Sequence, residues 1–169
     1  EDWIEDLKEV GNENKAELKL YEKLIRDTKE SIASLKEKDN VNRIELSGML
    51  WLQTERDGKT PETIKKYAPR LKAFINNIRN DLNATNVPFI VGGMVPFWVD
   101  QTVERIQQQH LIMTAANRHN YIGYANPELP FRIEKQDNFF DVIHYDAEGQ
   151  RELGKRYFDE YLHNNYNFC

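Results

Sequence analysis

The spacing of apolar residues along the chain predicts helices that alternate with short buried strands. Residues 14–38 and 60–83 carry apolar side chains three or four positions apart, which indicates amphipathic helices. Residues 44–52 form an almost continuous apolar run, and residues 87–92 form a second one. Short apolar runs between turn-forming residues are typical of strands buried on both faces, as in a parallel sheet.

The second half of the chain predicts further elements of both kinds. A helix is expected over residues 98–116 and a short strand over residues 120–125. A last helix is expected over residues 147–163, with Asp146 as its N-cap. Residues 131–134 could form one more short strand.

The order of these elements predicts an α/β fold. Strands that alternate with helices form a parallel sheet with right-handed crossovers and helices on both faces, which is a three-layer α/β/α sandwich. We expect one domain over residues 1–169, with residues 1–39 as a helical N-terminal segment. Ligands of such folds bind at the C-terminal ends of the strands. Gly92 and Gly93 predict a loose C-terminal end for the second strand.

Composition and charge exclude several classes of function. The 169 residues carry a formal net charge of -5, which disfavours a nucleic-acid partner. No apolar stretch approaches the ~20 residues of a membrane span. One cysteine and four scattered histidines do not have metal-ligand spacing, and no glycine-rich phosphate loop is present. We therefore expect neither a metal nor another cofactor.

Asp141 and His144 are the residue types of an acid–base pair. A histidine base needs an acceptor on its second ring nitrogen, because that bond fixes the tautomer and stabilises the imidazolium. The three-residue offset allows the carboxylate of Asp141 to fold back onto the ring of His144. A capping or surface pair has the same spacing, so the spacing alone leaves both interpretations open.

Gln53, Glu55 and Trp98 are further candidates for the same edge of the sheet. Gln53 could donate its side-chain amide to a developing oxyanion, and Glu55 could supply the carboxylate that orients His144. Trp98 could stack on a sugar ring. The alternative interpretations are a solvated turn for the two polar residues and a core position for the tryptophan.

Two stretches of the chain match the motifs of a known family. Residues 51–57, WLQTERD, resemble the motif W-x-Q-G-E-S-D, with Thr54 and Arg56 as departures. The end of the chain resembles the pattern D-x-x-H-[FY]-x-x-x-G-Q-x-x-L-G-x-R-[YF]. The chain is thus similar, over residues 40–163, to the SGNH (GDSL-like) hydrolase superfamily, in its carbohydrate-esterase branch of sialate O-acetylesterases and acetylxylan esterases. The closing pattern is carried by Asp141, His144, Tyr145, Gly149, Gln150, Leu153, Gly154, Arg156 and Tyr157.

This resemblance implies a reaction and roles for individual residues. The expected fold is a flavodoxin-like sandwich, and the expected reaction is hydrolysis of O-acetyl esters on sugars through an acyl-enzyme. His144 would be the general base and then the general acid, with Asp141 or Glu55 as its carboxylate partner. Gln53 would border the oxyanion hole. An acetylated carbohydrate is the expected partner, and an extracellular location follows from the family's substrates.

The nucleophilic serine of that family has no counterpart in this chain. Ser31, Ser34 and Ser47 are the three serines, and none stands in a Gly-x-Ser setting. We expect the nucleophile and the first strand of the sheet on an upstream segment or a companion chain. The alternative is a non-catalytic binding or structural module of a larger surface or particle protein. A different nucleophile within this chain is the least favoured interpretation, with Thr54 as its one candidate.

Overall fold

The computed structural model describes residues 18–38, 40–52, 55, 60–116, 120–134 and 141–166. The first 17 residues of the predicted N-terminal segment lie outside this described part. Helices and strands alternate in the predicted order. Their bounds are α1 Leu18–Lys36, β1 Met49–Trp51, α2 Pro61–Asp81, β2 Phe89–Gly92, α3 Pro96–Val99, α4 Val103–Ala115, β3 Ile122–Ala125 and α5 Ala147–Tyr166.

Three predicted elements differ from the observed ones. The strand expected over 44–52 is paired over three residues only, Met49–Trp51. The helix expected over 98–116 is two helices, because Thr102 is extended and its side chain accepts a hydrogen bond from the N–H of Arg105 at 3.3 Å. An N-cap of this kind starts a new helix. Residues 131–134 form no strand, so that prediction is wrong.

The sheet is parallel, as predicted. Its described strands lie in the order β1-β2-β3. Leu50 pairs with Ile90 across the first interface, and Ile90 pairs with Gly123 across the second. All four residues of β2 and all four of β3 are buried, which explains their nearly continuous apolar sequences.

Helices α4 and α5 cover opposite faces of this sheet. A Cβ placed on Gly123 would contact Asn164 and Glu160, so this face of β3 lies against α5. The next residue, Tyr124, hydrogen-bonds to Gln109 of α4 at 2.7 Å. Because successive strand residues point to opposite faces, the two helices sandwich the sheet between them. The fold is therefore the three-layer α/β/α arrangement that the sequence predicts.

The chain divides into two compact units, and the sheet belongs to the second. Unit 1 comprises Glu1–Ser47 and Pro69–Val87, and unit 2 comprises Gly48–Ala68 and Pro88–Cys169. Within unit 1, the ring of Tyr21 packs edge-on against Phe74 at 6.1 Å between centroids. The guanidinium of Arg79 donates to the carbonyl of Val87 at 2.8 Å and 3.2 Å. This division does not test whether residues 1–169 form one folding domain, and that stays a prediction.

Candidate active site

The C-terminal end of β2 is held by three polar side chains, which we call the polar collar: Tyr145, Tyr157 and Gln109. Tyr145 donates its hydroxyl hydrogen to the carbonyl of Gly93 at 2.8 Å. Gln109 accepts from the N–H of Met94 at 3.0 Å. Each residue comes from a different segment of the chain, so the collar joins those segments at the end of the strand.

Tyr157 binds the ends of β1 and β2 together. Its hydroxyl donates to the carbonyl of Trp51 at 2.8 Å and also has a backbone hydrogen bond with Gly92. Burial is the main cause that raises the pKa of this phenol far above its ordinary value. The hydroxyl therefore stays protonated and acts as a fixed donor.

Gly92 and Gly93 are packed closely, and the expectation of a loose strand end is wrong. Both residues are buried, and neither has a positive φ. A Cβ on Gly92 would lie 2.7 Å from Cζ of Tyr157 and closer still to its hydroxyl oxygen. A Cβ on Gly93 would lie 2.6 Å from Nε2 of Gln109. These glycines make room for the collar, rather than supplying flexibility.

The loop that carries the candidate histidine is anchored by the two residues that follow the histidine. Tyr145 is the next residue after His144, and its bond to Gly93 fixes the loop to the end of β2. One residue further on, Asp146 accepts from the N–H of Gly149 at 2.7 Å, which caps α5 as predicted. Burial raises the pKa of the Tyr145 phenol, and nearby Tyr124 adds to that increase. The histidine thus directly precedes two fixed residues.

Asp141 and His144 form the pair that their spacing suggests. Oδ2 of Asp141 lies 2.8 Å from Nδ1 of His144. Oδ1 of the same carboxylate accepts from the main-chain N–H groups of Ile143 at 3.1 Å and of His144 at 3.0 Å. Main-chain N–H groups of the turn therefore hold Oδ1 of Asp141, and Oδ2 faces the imidazole ring.

The electrostatics of the turn keep Asp141 ionised. The main-chain N–H of His144, its imidazole and the N–H of Ile143 lower the pKa of Asp141 to about 2. An ionised carboxylate accepts hydrogen bonds and cannot donate them, so Nδ1 of His144 carries the hydrogen in this pair. The imidazole side chain is 74% exposed, so a reactant can reach it from solvent. This arrangement can remove a proton from an incoming hydroxyl group.

The other predicted site residues differ in how far the structure describes them. Gln53 lies outside the described residues. Glu55 is half-buried, and its negative charge adds to the raised pKa values of Tyr145 and Tyr157. Its role as a partner of His144 stays a prediction.

Trp98 is only 6% exposed, and the guanidinium of Arg105 lies 3.9 Å from its ring centroid. That packing is typical of a core residue, and sugar stacking by Trp98 stays a prediction.

None of the three serines has the setting of a nucleophile. Ser31 and Ser34 are exposed residues of α1, and Ser31 donates to the carbonyl of Asp27 at 2.7 Å. Ser47 is an exposed residue that precedes β1 in the chain. Because ligands of parallel sheets bind after the strands, a residue before β1 is poorly placed for attack.

Comparisons with known proteins assign the chain to a family. The family described as carbohydrate esterase, sialic acid-specific acetylesterase, matches residues 4–163. The chain belongs to this family. A search of curated proteins found no match.

One solved structure supports the fold itself. The X-ray structure of a protein from Arabidopsis thaliana is similar with a TM-score of 0.67 and 21% sequence identity. The match covers 89% of this chain and 53% of the other, so this chain spans about half the length of that relative.

Neither a metal site nor a membrane-spanning helix is found among the residues that the structure describes. No group of three or more His, Cys, Asp or Glu side chains is arranged to hold a metal ion. No described helix is both long enough and apolar enough to cross a membrane.

Proposed function

We propose that this carbohydrate-esterase chain supplies the acid–base half of an acetylesterase site. Its substrate would be an O-acetyl ester on a sugar, and the nucleophilic serine would come from a segment outside these 169 residues. The observation that carries the proposal is the 2.8 Å bond between Asp141 and Nδ1 of His144. That bond sets the tautomer that a general base requires.

The proposed reaction has two steps. Nε2 of His144 takes the proton of the serine hydroxyl as its oxygen attacks the acetyl carbonyl, and the imidazolium then protonates the departing sugar oxygen. Water next attacks the acetyl-serine while His144 again accepts a proton, which returns to the serine as acetate leaves. Asp141 stabilises the imidazolium in both steps, and Gln53 would donate to the oxyanion.

The exposure of His144 supports a nucleophile from another segment. A general base usually lies at hydrogen-bond distance from its nucleophile, and such contact covers part of the ring. The imidazole is largely exposed to solvent here. The length of the Arabidopsis relative, which this chain covers by 53%, leaves room for such a segment. Acetylated glycans outside the cell would be the natural substrates.

The test is the esterase activity of the full-length protein in which this chain occurs. Hydrolysis of an aryl acetate and of O-acetylated sialic acid should both be measured. His144→Ala should lower kcat by about 10³-fold or more, because the base acts in both steps. His163→Ala is the matched control, since this exposed histidine lies near the end of α5.

Two results would contradict the proposal. If His144→Ala hydrolyses both esters at the rate of the parent protein, the acid–base role is wrong. If the parent protein hydrolyses neither ester but binds acetylated glycans, the chain is a non-catalytic binding module of the same family.

A further inference from the structure

An exposed aromatic ring lies on the segment that follows β3, residues 126–133, which we call the β3 loop. Phe131 of this loop is 58% exposed, whereas Trp98, the residue that the sequence suggests for sugar stacking, is buried. Ligands of parallel sheets bind beyond the C-terminal ends of the strands, and the β3 loop begins directly after β3. Phe131 is therefore an exposed aromatic residue at the edge of the sheet where a substrate is expected.

A buried arginine holds the β3 loop in place. Arg156 of α5 is 5% exposed, and its guanidinium donates to the carbonyls of Asn126 and Phe131, at 2.6 Å in each case. Hydrogen bonds from a charged donor are roughly twice as strong as neutral ones. Within the loop, the N–H of Ile133 donates to the carbonyl of Pro127 at 2.8 Å. The main chain that carries the phenyl ring is thus fixed before a ligand binds.

The same guanidinium also fixes the ring of Phe131. Its central carbon lies 5.0 Å from the ring centroid, which is the distance of a cation–π contact. Because the guanidinium of Arg156 lies over one face of the ring, the exposed surface includes the opposite face. A ring that is already held in position loses little conformational entropy when a flat ligand stacks on it.

The two ends of the β3 loop pack against the residues that anchor the candidate histidine. At the start of the loop, Cδ of Pro127 would overlap a Cβ placed on Gly93. At its end, a Cβ placed on Gly149 would lie 3.1 Å from Cγ2 of Ile133 and 3.1 Å from Cδ1 of Tyr145. Tyr145 directly follows the histidine and donates to the carbonyl of Gly93. The β3 loop is therefore a neighbour of the histidine turn.

From these observations we propose that the sugar ring of the substrate stacks on Phe131. One face of a pyranose carries mainly C–H groups, whose hydrogens are slightly positive, and the face of a phenyl ring is negative. Membership of a carbohydrate-esterase family selects a sugar as the ligand with such a face. The inference rests on the proposed function, because it names the contact that would hold the sugar at the same site.

The kinetic test uses the full-length protein and two kinds of acetate ester. Phe131→Ala should raise KM for an acetylated methyl xyloside and for O-acetylated sialic acid by about fivefold to tenfold, because the stacking contact is lost. The kcat should change less than about twofold, since stacking contributes to binding rather than to acyl transfer. KM for ethyl acetate, which has no ring, should stay the same.

Phe158→Ala is the matched control for this substitution. Phe158 is 59% exposed, much as Phe131 is, but it lies on α5 rather than on the β3 loop. The control should leave KM for both acetylated sugars unchanged.

A binding measurement separates this inference from the esterase reaction. His144→Ala removes the proposed base, so the acetylated xyloside can be titrated without turnover and followed by NMR. In that background, Phe131→Ala should weaken the Kd by about fivefold to tenfold. Phe131→Trp keeps an aromatic face and should bind as the parent protein does, whereas Phe131→Leu is apolar without a flat ring and should bind at least about threefold more weakly.

Two outcomes would overturn the inference. Equal KM and Kd values for Phe131→Ala and the parent protein would mean that the sugar does not stack on this ring, even where His144→Ala abolishes hydrolysis. Equal losses in Phe131→Ala and Phe158→Ala would mean that the effect is not specific to the β3 loop. If the parent protein hydrolyses no ester but Phe131→Ala still weakens sugar binding, the proposed reaction is wrong and the stacking contact is supported.

Discussion

The polar collar and the Asp141–His144 turn hold their polar groups in different ways. Tyr145 and Tyr157 are buried, and they bond to main-chain carbonyls that are 52 and 106 positions away in the chain. The carboxylate of Asp141 is hydrogen-bonded to Ile143 and His144, two and three residues further along the chain, and the imidazole of His144 is exposed. One region is built from long-range contacts and the other from a local turn.

The collar fixes the position of the loop and of the strand ends, whereas the turn leaves His144 accessible to a reactant. A buried hydrogen bond is costly to leave unmade, so the collar can fix where the loop begins and where the strands end. An exposed turn contributes little to stability but leaves a ring nitrogen accessible to a reactant. Catalytic groups are often carried in this way, on a loop that a rigid scaffold positions. Substitutions in the two regions should therefore differ in the size and in the kind of their effects.

The largest effect is expected from Gly92→Ala in the collar. The added methyl group would overlap the phenol of Tyr157, and a β-strand main chain cannot shift without breaking its pairing to β1 and β3. We expect the free energy of unfolding to fall by about 3 kcal/mol, as for other overpacked cores. Urea denaturation followed by far-UV circular dichroism measures this change.

Gly154→Ala is the matched control for this substitution. Gly154 lies in α5, and a Cβ placed on it would have no neighbour within 4 Å. Alanine should stabilise the helix by about 0.5–1 kcal/mol, because glycine loses more backbone entropy on folding. If both substitutions change the stability equally, Gly92 is not packed closely against Tyr157.

A smaller effect is expected from Tyr145→Phe. The substitution removes the hydrogen bond to Gly93 and leaves a buried carbonyl without its donor, which costs about 1–3 kcal/mol. Amide hydrogen exchange of His144 should also become faster, because the loop loses its attachment to β2. Tyr161→Phe changes a half-buried tyrosine of α5 and should stay within about 0.5 kcal/mol. Unchanged exchange at His144 would show that Tyr145 does not position the turn.

Local patterns predicted much of this fold and of the turn. The alternation of apolar runs and helical spacing identified β2, β3 and α5, because burial on a sheet or helix face has a fixed period. Asp146 was predicted as an N-cap, and the structure confirms it. The pairing of Asp141 with His144 is also local, since a turn of four residues brings the two side chains together.

The collar could not be predicted from such patterns. The partners of Tyr145 and Tyr157 are main-chain carbonyls at the end of β1 and just after β2, and no residue type marks a carbonyl that will accept a side-chain donor. Gly92 and Gly93 indicated flexibility, although their role is to make room for Tyr157 and Gln109. The closing motif contains Tyr145 and Tyr157, but the motif alone does not say which contacts their hydroxyls make.

The smallest effect on stability is expected from Asp141→Asn, and it should depend on pH. The folded pKa of Asp141 is about 2, below its ordinary value of 3.8, so the ionised group favours the folded state. This contribution is fully present above about pH 4 and is lost as the pH falls through 2. The variant should lack it, and its stability should approach that of the parent chain as the pH is lowered.

The cause of the lowered pKa gives a second test of the same turn. The main-chain N–H of His144 is the largest cause, and the imidazole comes after it. His144→Ala keeps that N–H, so the pKa of Asp141 should stay below 3.8 when it is followed by ¹³C NMR of the carboxyl group. A return to 3.8 in His144→Ala would mean that the imidazole, rather than the backbone of the turn, holds the carboxylate. The Asp141–His144 turn would then be formed only while the side chain of the histidine is present.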